Sequence, residues 1–161
     1  MTRPKMTMRE RAEMDRAIRS LKHLYESGRT PDAGHPCVDM GVQYLRLRGL
    51  SVPSDLRHMY RNKRGDAELN TFFGIRGVID AVLNIADELG LKRLADPLDA
   101  RRGDLLFLSR RESFIGISEV GVREVLVFDG SKLVRIESPR IHIAWDVSPP
   151  PADDEEKRCA A

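Results

Sequence analysis

The feature that most constrains this chain is the stretch 101–147, a run of short apolar segments separated by turn residues. Short apolar-rich segments bounded by Gly, Asp, Ser or Pro are typical of β-strands. Asp129-Gly130 lies between two such segments and indicates a tight hairpin. The linkers are short, so the strands should pair antiparallel in one sheet of about five strands. The predicted strands span 104–109, 113–119, 124–128, 132–137 and 141–145.

Three segments upstream show the apolar spacing of helices. The first runs over about 7–27, and Thr7 and Glu10 in it have the spacing of a capping box. The second should span about 36–49, with a proline at its first position. Gly41 within it permits the close approach of a neighbouring element.

The third helix has the widest apolar face and ends at Gly90, a favourable residue after a helix. We expect this face to belong to the core, and we predict that truncating Leu83 in it costs on the order of 2–5 kcal/mol. The apolar positions are Val78, Ile79, Val82, Leu83, Ile85, Ala86 and Leu89.

Helices that come first and strands that follow predict an α+β domain. We expect the helices to pack on a curled antiparallel sheet, with the second helix against its inner face. Residues 7–147 should form this single domain, after a flexible arm over 1–6. The segment 148–161 combines three prolines with a run of acidic residues, a composition that predicts a disordered tail.

Composition excludes several classes of protein. No apolar run approaches the roughly 20 residues of a membrane-spanning helix, and the charged N-terminus lacks the apolar core of a signal peptide. We therefore expect a protein that does not insert in membranes and is cytoplasmic on synthesis. Two cysteines, Cys37 and Cys159, are too few for a disulfide framework.

The charge pattern does not favour nucleic-acid binding. The net charge is +2, and acidic and basic residues are interleaved along most of the chain. The basic stretch 57–64 and the first helix are exceptions, which we interpret as solvated surfaces because no stacking aromatic residues recur beside the charges. The sequence contains no Gly-rich phosphate loop and no metal-ligand spacing of Cys or His, so we expect neither a cofactor nor a metal.

Cys37 falls in the first turn of the second predicted helix. The helix dipole and the free N–H groups of that turn favour a thiolate, which is the reactive form of cysteine. Cys37 is therefore a candidate nucleophile. The competing interpretation is a small apolar residue that only packs, as isolated cysteines often do.

Three short motifs appear in a particular order. They are Gly34-His35-Pro36-Cys37-Val38-Asp39, Arg102-Gly103-Asp104-Leu105-Leu106-Phe107 and Phe114-Ile115-Gly116-Ile117, followed by the closing segment Ile143-Ala144-Trp145-Asp146-Val147. Over about residues 15–147 the chain resembles the NlpC-like branch of the papain-like cysteine peptidases, and within it a small family found in phages and prophages. The resemblance implies a papain-like α+β fold and a place among tail-tip or tail-assembly proteins, with peptidoglycan peptide as the substrate of active members.

The chain departs from that pattern at two positions. Pro36 stands where the family has an acidic residue, and Phe114 stands where active members carry the catalytic His. Attack of a thiol on an amide needs a base within hydrogen-bond reach, and phenylalanine cannot act as one. We further expect Phe114 to cover Cys37 with apolar surface and so to oppose formation of a thiolate.

Another histidine could replace the missing base. His142 lies on the last predicted strand between Ile141 and Ile143, with its side chain expected opposite theirs. It is the alternative candidate for the base, although an ordinary surface histidine is the commoner arrangement. Glu119 and Arg123 lie nearby in sequence, but neither is a compelling replacement for the third residue that would orient the base.

Three functions remain open from the sequence. The favoured one is a catalytically degenerate NlpC-like protein of a phage or prophage tail, a structural or binding component whose partners are other tail proteins. The second is an active cysteine peptidase or amidase that cleaves cell-wall peptides with Cys37. The third is a host-directed interaction protein that uses its basic first helix as a contact surface.

Overall fold

The computed structural model describes residues 3–26, 36–53, 75–108 and 115–148, and the side chains of these except 36, 37 and 75–81. Helices come first, as predicted: α1 (Met8–Glu26), α2 (Pro36–Leu47) and α3 (Ile75–Glu88). The strands follow as β1 (Lys92–Arg93), β2 (Leu105–Leu108), β3 (Ile115–Val120), β4 (Glu124–Phe128), β5 (Leu133–Glu137) and β6 (Ile141–Asp146), with a short 3-10 turn over Pro97–Asp99. The chain is therefore an α+β protein.

The strands form one antiparallel sheet in the order β1-β6-β2-β3-β4-β5. The five predicted strands are confirmed as β2 to β6, and β1 is an additional one. The prediction of a curled sheet is wrong. After β5 the chain returns to the other side of β2, and β1 then extends the sheet beyond β6, so β1 and β5 are the outermost of the described strands.

The helix α2 is the central element of the core. Its residues from Val38 to Val42 are all buried, as expected for a helix covered on every side. It packs against α1, α3 and the strands β3 and β4. At its C-terminal end Gly49 has φ +87°, and the amide of Leu50 donates to the carbonyl of Leu45 at 3.0 Å, the bond that closes a Schellman turn.

The capping box predicted for α1 is present. The Thr7 amide donates to Glu10 Oε2 at 3.0 Å, and the Glu10 amide donates to Thr7 Oγ1 at 3.1 Å. Each side chain thus satisfies one of the free amides at the start of the helix. The buried side of α1 carries Met14, Ala17, Ile18, Leu21 and Tyr25.

The contacts of α2 define its direction along the sheet. A Cβ at Gly41 would lie 3.2 Å from Ile115 Cγ2, so the glycine allows α2 to approach the start of β3 closely. One turn further on, the Tyr44 hydroxyl donates to the carbonyl oxygen of Gly103 at 2.5 Å, and the Gly103 amide donates to the carbonyl of Ser118 at 2.9 Å. The N-terminal end of α2 therefore lies toward the start of β3, and its C-terminal end toward the end of that strand.

The prediction that Leu83 belongs to the core is wrong, because Leu83 is 38% exposed. The buried residues of the described part of α3 are Val82, Ile85 and Ala86. Leu83 lies roughly 100° around the helix from the centre of that stripe. The apolar face read from the sequence is wider than the surface that the rest of the chain covers.

Residues 3–6, which we expected to form a loose arm, make specific contacts with the sheet end. Arg3 binds Asp104 through two hydrogen bonds of 2.6 and 3.0 Å, and Arg101 Nη1 donates to the carbonyl oxygen of Pro4 at 2.6 Å. Met6 packs on the main core. The predicted tail beyond Ser148 and the basic stretch 57–64 lie outside the described residues. Among the described helices, none has the length and apolarity of a membrane span.

Candidate functional site

The candidate site lies at the start of α2. This helix begins at Pro36, so Cys37 occupies its first turn, as predicted. In this turn the backbone N–H groups have no partner within the helix and face any negative charge placed there. The backbone thus gives Cys37 a position that favours a thiolate, while the Cys37 side chain lies outside the described ones.

A buried carboxyl group lies two residues beyond Cys37. Asp39 is fully buried, and its Oδ2 accepts a hydrogen bond of 2.6 Å from the Tyr25 hydroxyl. The Tyr25 ring in turn packs on Phe128, with ring centroids 5.0 Å apart. A buried carboxyl needs such a donor, because burial without one carries a large desolvation cost. Asp39 therefore anchors the first turn of α2 directly to α1 and, through the Tyr25 ring, to β4. Sequence analysis did not predict this role.

The start of β3 lies at the same end of the domain. Gly41 follows Cys37 by one helical turn, so the two residues share a face of α2. A Cβ at Gly41 would lie 3.2 Å from Ile115 Cγ2, and Ile115 directly follows Phe114 in the sequence. The fold therefore brings the helix turn that carries Cys37 near the strand that begins after Phe114, while Phe114 itself lies outside the described residues.

His142 occupies the strand β6 and is exposed. Its ring lies beside Phe107, with centroids 6.3 Å apart, and it makes no hydrogen bond within the described part of the chain. The strand β2 separates β6 from β3, so two strand spacings, about 10 Å, separate His142 from the row of Ile115. Within the described ranges, no group orients His142 as a base.

The surroundings of His142 also differ from the expected alternation. The register of β2 and β6 shifts between Phe107 and Leu108, as in a β-bulge. As a result Ile141 packs on the smaller apolar cluster on one face of the sheet, and Ile143 packs on the main core on the other face. The two isoleucines therefore do not share a face opposite His142.

The Gly-Asp pair that leads into β2 has a structural role. Gly103 has φ +92°, and a Cβ on it would lie 2.1 Å from Met14 Sδ. Asp104 is buried, and its carboxylate accepts from Arg3 and from the Arg101 amide at 2.8 Å. Burial raises the pKa of Asp104, and the bonds to Arg3 and Arg101 oppose that rise only in part.

Glu119 lies at the opposite end of β3 from the candidate site, four residues and about 13 Å beyond Ile115. It is buried, with Lys22 Nζ 2.5 Å from its Oε1 and Arg135 Nε 2.6 Å from its Oε2. Burial alone would raise the pKa of Glu119, but the two cations together hold it below its usual value. The carboxylate is therefore committed to these partners and is remote from Cys37. The sequence does contain a signal for this position. Ile115, Ile117 and Glu119 alternate along β3, which predicts that Glu119 lies on the face of the sheet that the helices cover.

The described residues contain no group of three His, Cys, Asp or Glu side chains that could hold a metal ion. No protein-family model matches the sequence, and no curated protein or solved structure shows significant similarity to it.

Proposed function

We propose that this chain is an NlpC-like protein of the phage or prophage type whose catalytic His position is degenerate. In this proposal it acts as a structural or binding component of a tail tip or of tail assembly. It keeps the cysteine-bearing helix of the peptidases but does not hydrolyse peptide bonds. Its synthesis is cytoplasmic and its place of action is the virion tail.

One observation supports the proposal above the others. The helix that carries Cys37 in its first turn packs across β3 and β4, with its N-terminal end toward the start of β3. A cysteine peptidase of this type needs its nucleophile on a helix beside the strand that supplies the base. Here that strand is preceded by Phe114, whose side chain cannot accept a proton.

Among the described residues, the other titratable candidates do not supply a substitute. His142 is exposed and lies two strands away, and Glu119 is held by two cations at the other end of β3. Asp39 is close to Cys37 in the chain, but its carboxyl group is buried and hydrogen-bonded to Tyr25. These placements favour a protein without peptidase activity.

Incubation with purified peptidoglycan tests the proposal. The parent protein should release no peptide fragments, and it should not differ in this from Cys37→Ala. Phe114→His restores the missing base and should make Cys37 alkylate faster near neutral pH, in a Cys159→Ser background that leaves one thiol to follow. Peptide release by the parent that Cys37→Ala abolishes would overturn the degenerate assignment and establish the active peptidase.

A further inference from the structure

A cleft lies between the end of α1 and the strands β4 and β5. It has a volume of about 320 Å³. Its apolar floor comes from Leu126 and Leu133, with the ring of Tyr25 beside them, and its rim carries Lys22, Lys132 and Arg135. The acidic residue Glu26 also lines it.

The buried carboxylate of Glu119 fixes two of these cations. Arg135 uses its Nε for Glu119, and its two terminal nitrogens make no hydrogen bond within the described part of the chain. The Arg135 side chain is 53% exposed, so these nitrogens remain available to a ligand. A guanidinium held by its Nε presents its terminal N–H groups in a fixed geometry, which suits a carboxylate.

The strand β5 is an edge of the sheet, and its outer side pairs with no described strand. Arg123 and Ser138 form one hydrogen-bonded pair of the ladder with β4, and Asp129 and Lys132 form another. Hydrogen-bonded pairs alternate along an antiparallel ladder. The backbone groups at 133, 135 and 137 therefore point away from β4, toward the free edge.

The two faces of β5 differ in chemistry. Leu133 packs on the main core, so it and Arg135 face the helix-covered side, where the cleft lies. Val134 and Ile136 are half-buried on the opposite face, with the smaller apolar cluster. A strand added beside β5 would place one set of its side chains next to the cations and the other set next to Val134 and Ile136.

We propose that the edge of β5 and the adjoining cleft bind an extended segment of another protein, in which acidic and apolar residues alternate. The segment adds as a strand to β5, with its carboxylates toward Arg135 and Lys132 and its apolar side chains beside Val134 and Ile136. Glu26 at the cleft and Glu137 on β5 limit the positive charge to a small area, which suits one or two carboxylates better than the phosphate chain of a nucleic acid. This inference rests on the proposed function and specifies the kind of partner that the protein would bind.

Fluorescence anisotropy with a labelled, acetylated peptide of alternating Val and Glu tests this surface. The peptide should bind saturably, at least about fivefold more tightly than a Val-Lys peptide or a peptide with its Val and Glu residues in separate blocks, because both the charge and the alternation matter. Lys132→Glu should weaken binding about threefold to tenfold, as expected for reversal of one exposed charge. Lys92→Glu, on the opposite edge strand, is the matched control and should bind like the parent.

Glu137→Pro tests the strand addition itself. Residue 137 directs its N–H to the free edge, so proline there removes a bond to the peptide but none to β4. It should weaken binding at least about threefold relative to Glu137→Ala, the size expected for the loss of one hydrogen bond.

Absence of saturable binding by the parent would overturn the proposal, as would unchanged binding in Lys132→Glu. Tighter binding of a single-stranded oligonucleotide would also overturn it, in favour of a nucleic-acid surface. Cell-wall cleavage and Cys37 alkylation do not depend on β5, so a failure here is distinguishable from a failure of the proposed function.

Discussion

The two ends of α2 are built differently. At the C-terminal end the Tyr44 hydroxyl binds the Gly103 carbonyl, and Arg48 Nη2 donates to the Val147 carbonyl at 2.6 Å. At the N-terminal end the Tyr25–Asp39 bond holds the first turn, beside Cys37. Polar groups thus hold α2 at both ends, to the end of the sheet through Tyr44 and Arg48 and to α1 through Asp39, but only the N-terminal end carries a residue with reactive chemistry. Changes at the C-terminal end should therefore alter stability alone, whereas changes at the N-terminal end should also alter the thiol.

The largest effect should come from Gly103→Ala at the C-terminal end. Its φ of +92° strains any side chain, and the new Cβ would meet Met14, whose Sδ lies 2.1 Å away. Strain and overpacking together should cost about 2–4 kcal/mol of unfolding free energy, measured by urea denaturation. Gly49→Ala is the matched control, because its φ is +87° but no atom of the described residues lies within 4 Å of the new Cβ. Equal losses in the two variants would show that Met14 does not hold α1 against this turn.

Tyr44→Phe should have the next largest effect. The substitution removes the hydroxyl that donates to the Gly103 carbonyl and leaves that buried oxygen without this donor. We expect a loss of about 1–2 kcal/mol in unfolding free energy. Alkylation of Cys37 should keep its rate, because the change lies two turns away along α2. A change in that rate without a loss of stability would mean that the two ends are coupled.

The smallest effect should be the change with pH in the unfolding free energy that two buried carboxylates, Glu119 and Asp104, contribute. The pKa of Glu119 is lowered in the fold, so Glu119 stabilises the protein above its ordinary value near 4.5 and loses that contribution as the pH falls. The advantage of the parent over Glu119→Gln should therefore shrink on acidification. The pKa of Asp104 is raised above 3.8, so Asp104 becomes less favourable to the fold as the pH rises through that value.

Asp104→Asn should show the opposite trend for this reason. Urea denaturation in steps between about pH 3 and pH 7 measures both differences in unfolding free energy. Parallel trends in the two variants would contradict the assigned pKa directions. Each variant is the control for the other, since all remaining carboxylates titrate in both.

The sequence predicted the elements whose signals are local. Apolar alternation and the Asp129-Gly130 turn are enough to define β2 to β6, and the Thr7–Glu10 spacing is enough to define the start of α1. The strand β1 was missed, because two exposed basic residues carry no strand pattern. It forms only because β6 offers a free edge for pairing.

The contacts that depend on distant residues could not be predicted. Arg3 and Asp104 are 101 positions apart, and only the fold brings the arginine to that buried carboxylate. The bulge between Phe107 and Leu108 reverses the face of Ile141, which simple alternation cannot show. The prediction that α3 is buried at Leu83 was wrong for a related reason, since periodicity predicts an apolar face but not how much of that face the rest of the protein covers.

The central claim is that the turn of α2 that carries Cys37 lies beside the start of β3. Cross-linking of Cys37 to a cysteine at position 114 tests it most directly. In a Phe114→Cys variant with Cys159→Ser, the reagent dibromobimane becomes fluorescent when it bridges two neighbouring thiols. We predict rapid fluorescence and an intramolecular cross-link in the folded protein, because the turn of α2 that carries Cys37 lies beside the start of β3. A Val120→Cys variant, at the far end of the same strand, should give none. Bridging in the Val120→Cys variant but not in the Phe114→Cys variant would contradict the arrangement, and with it the NlpC-like assignment.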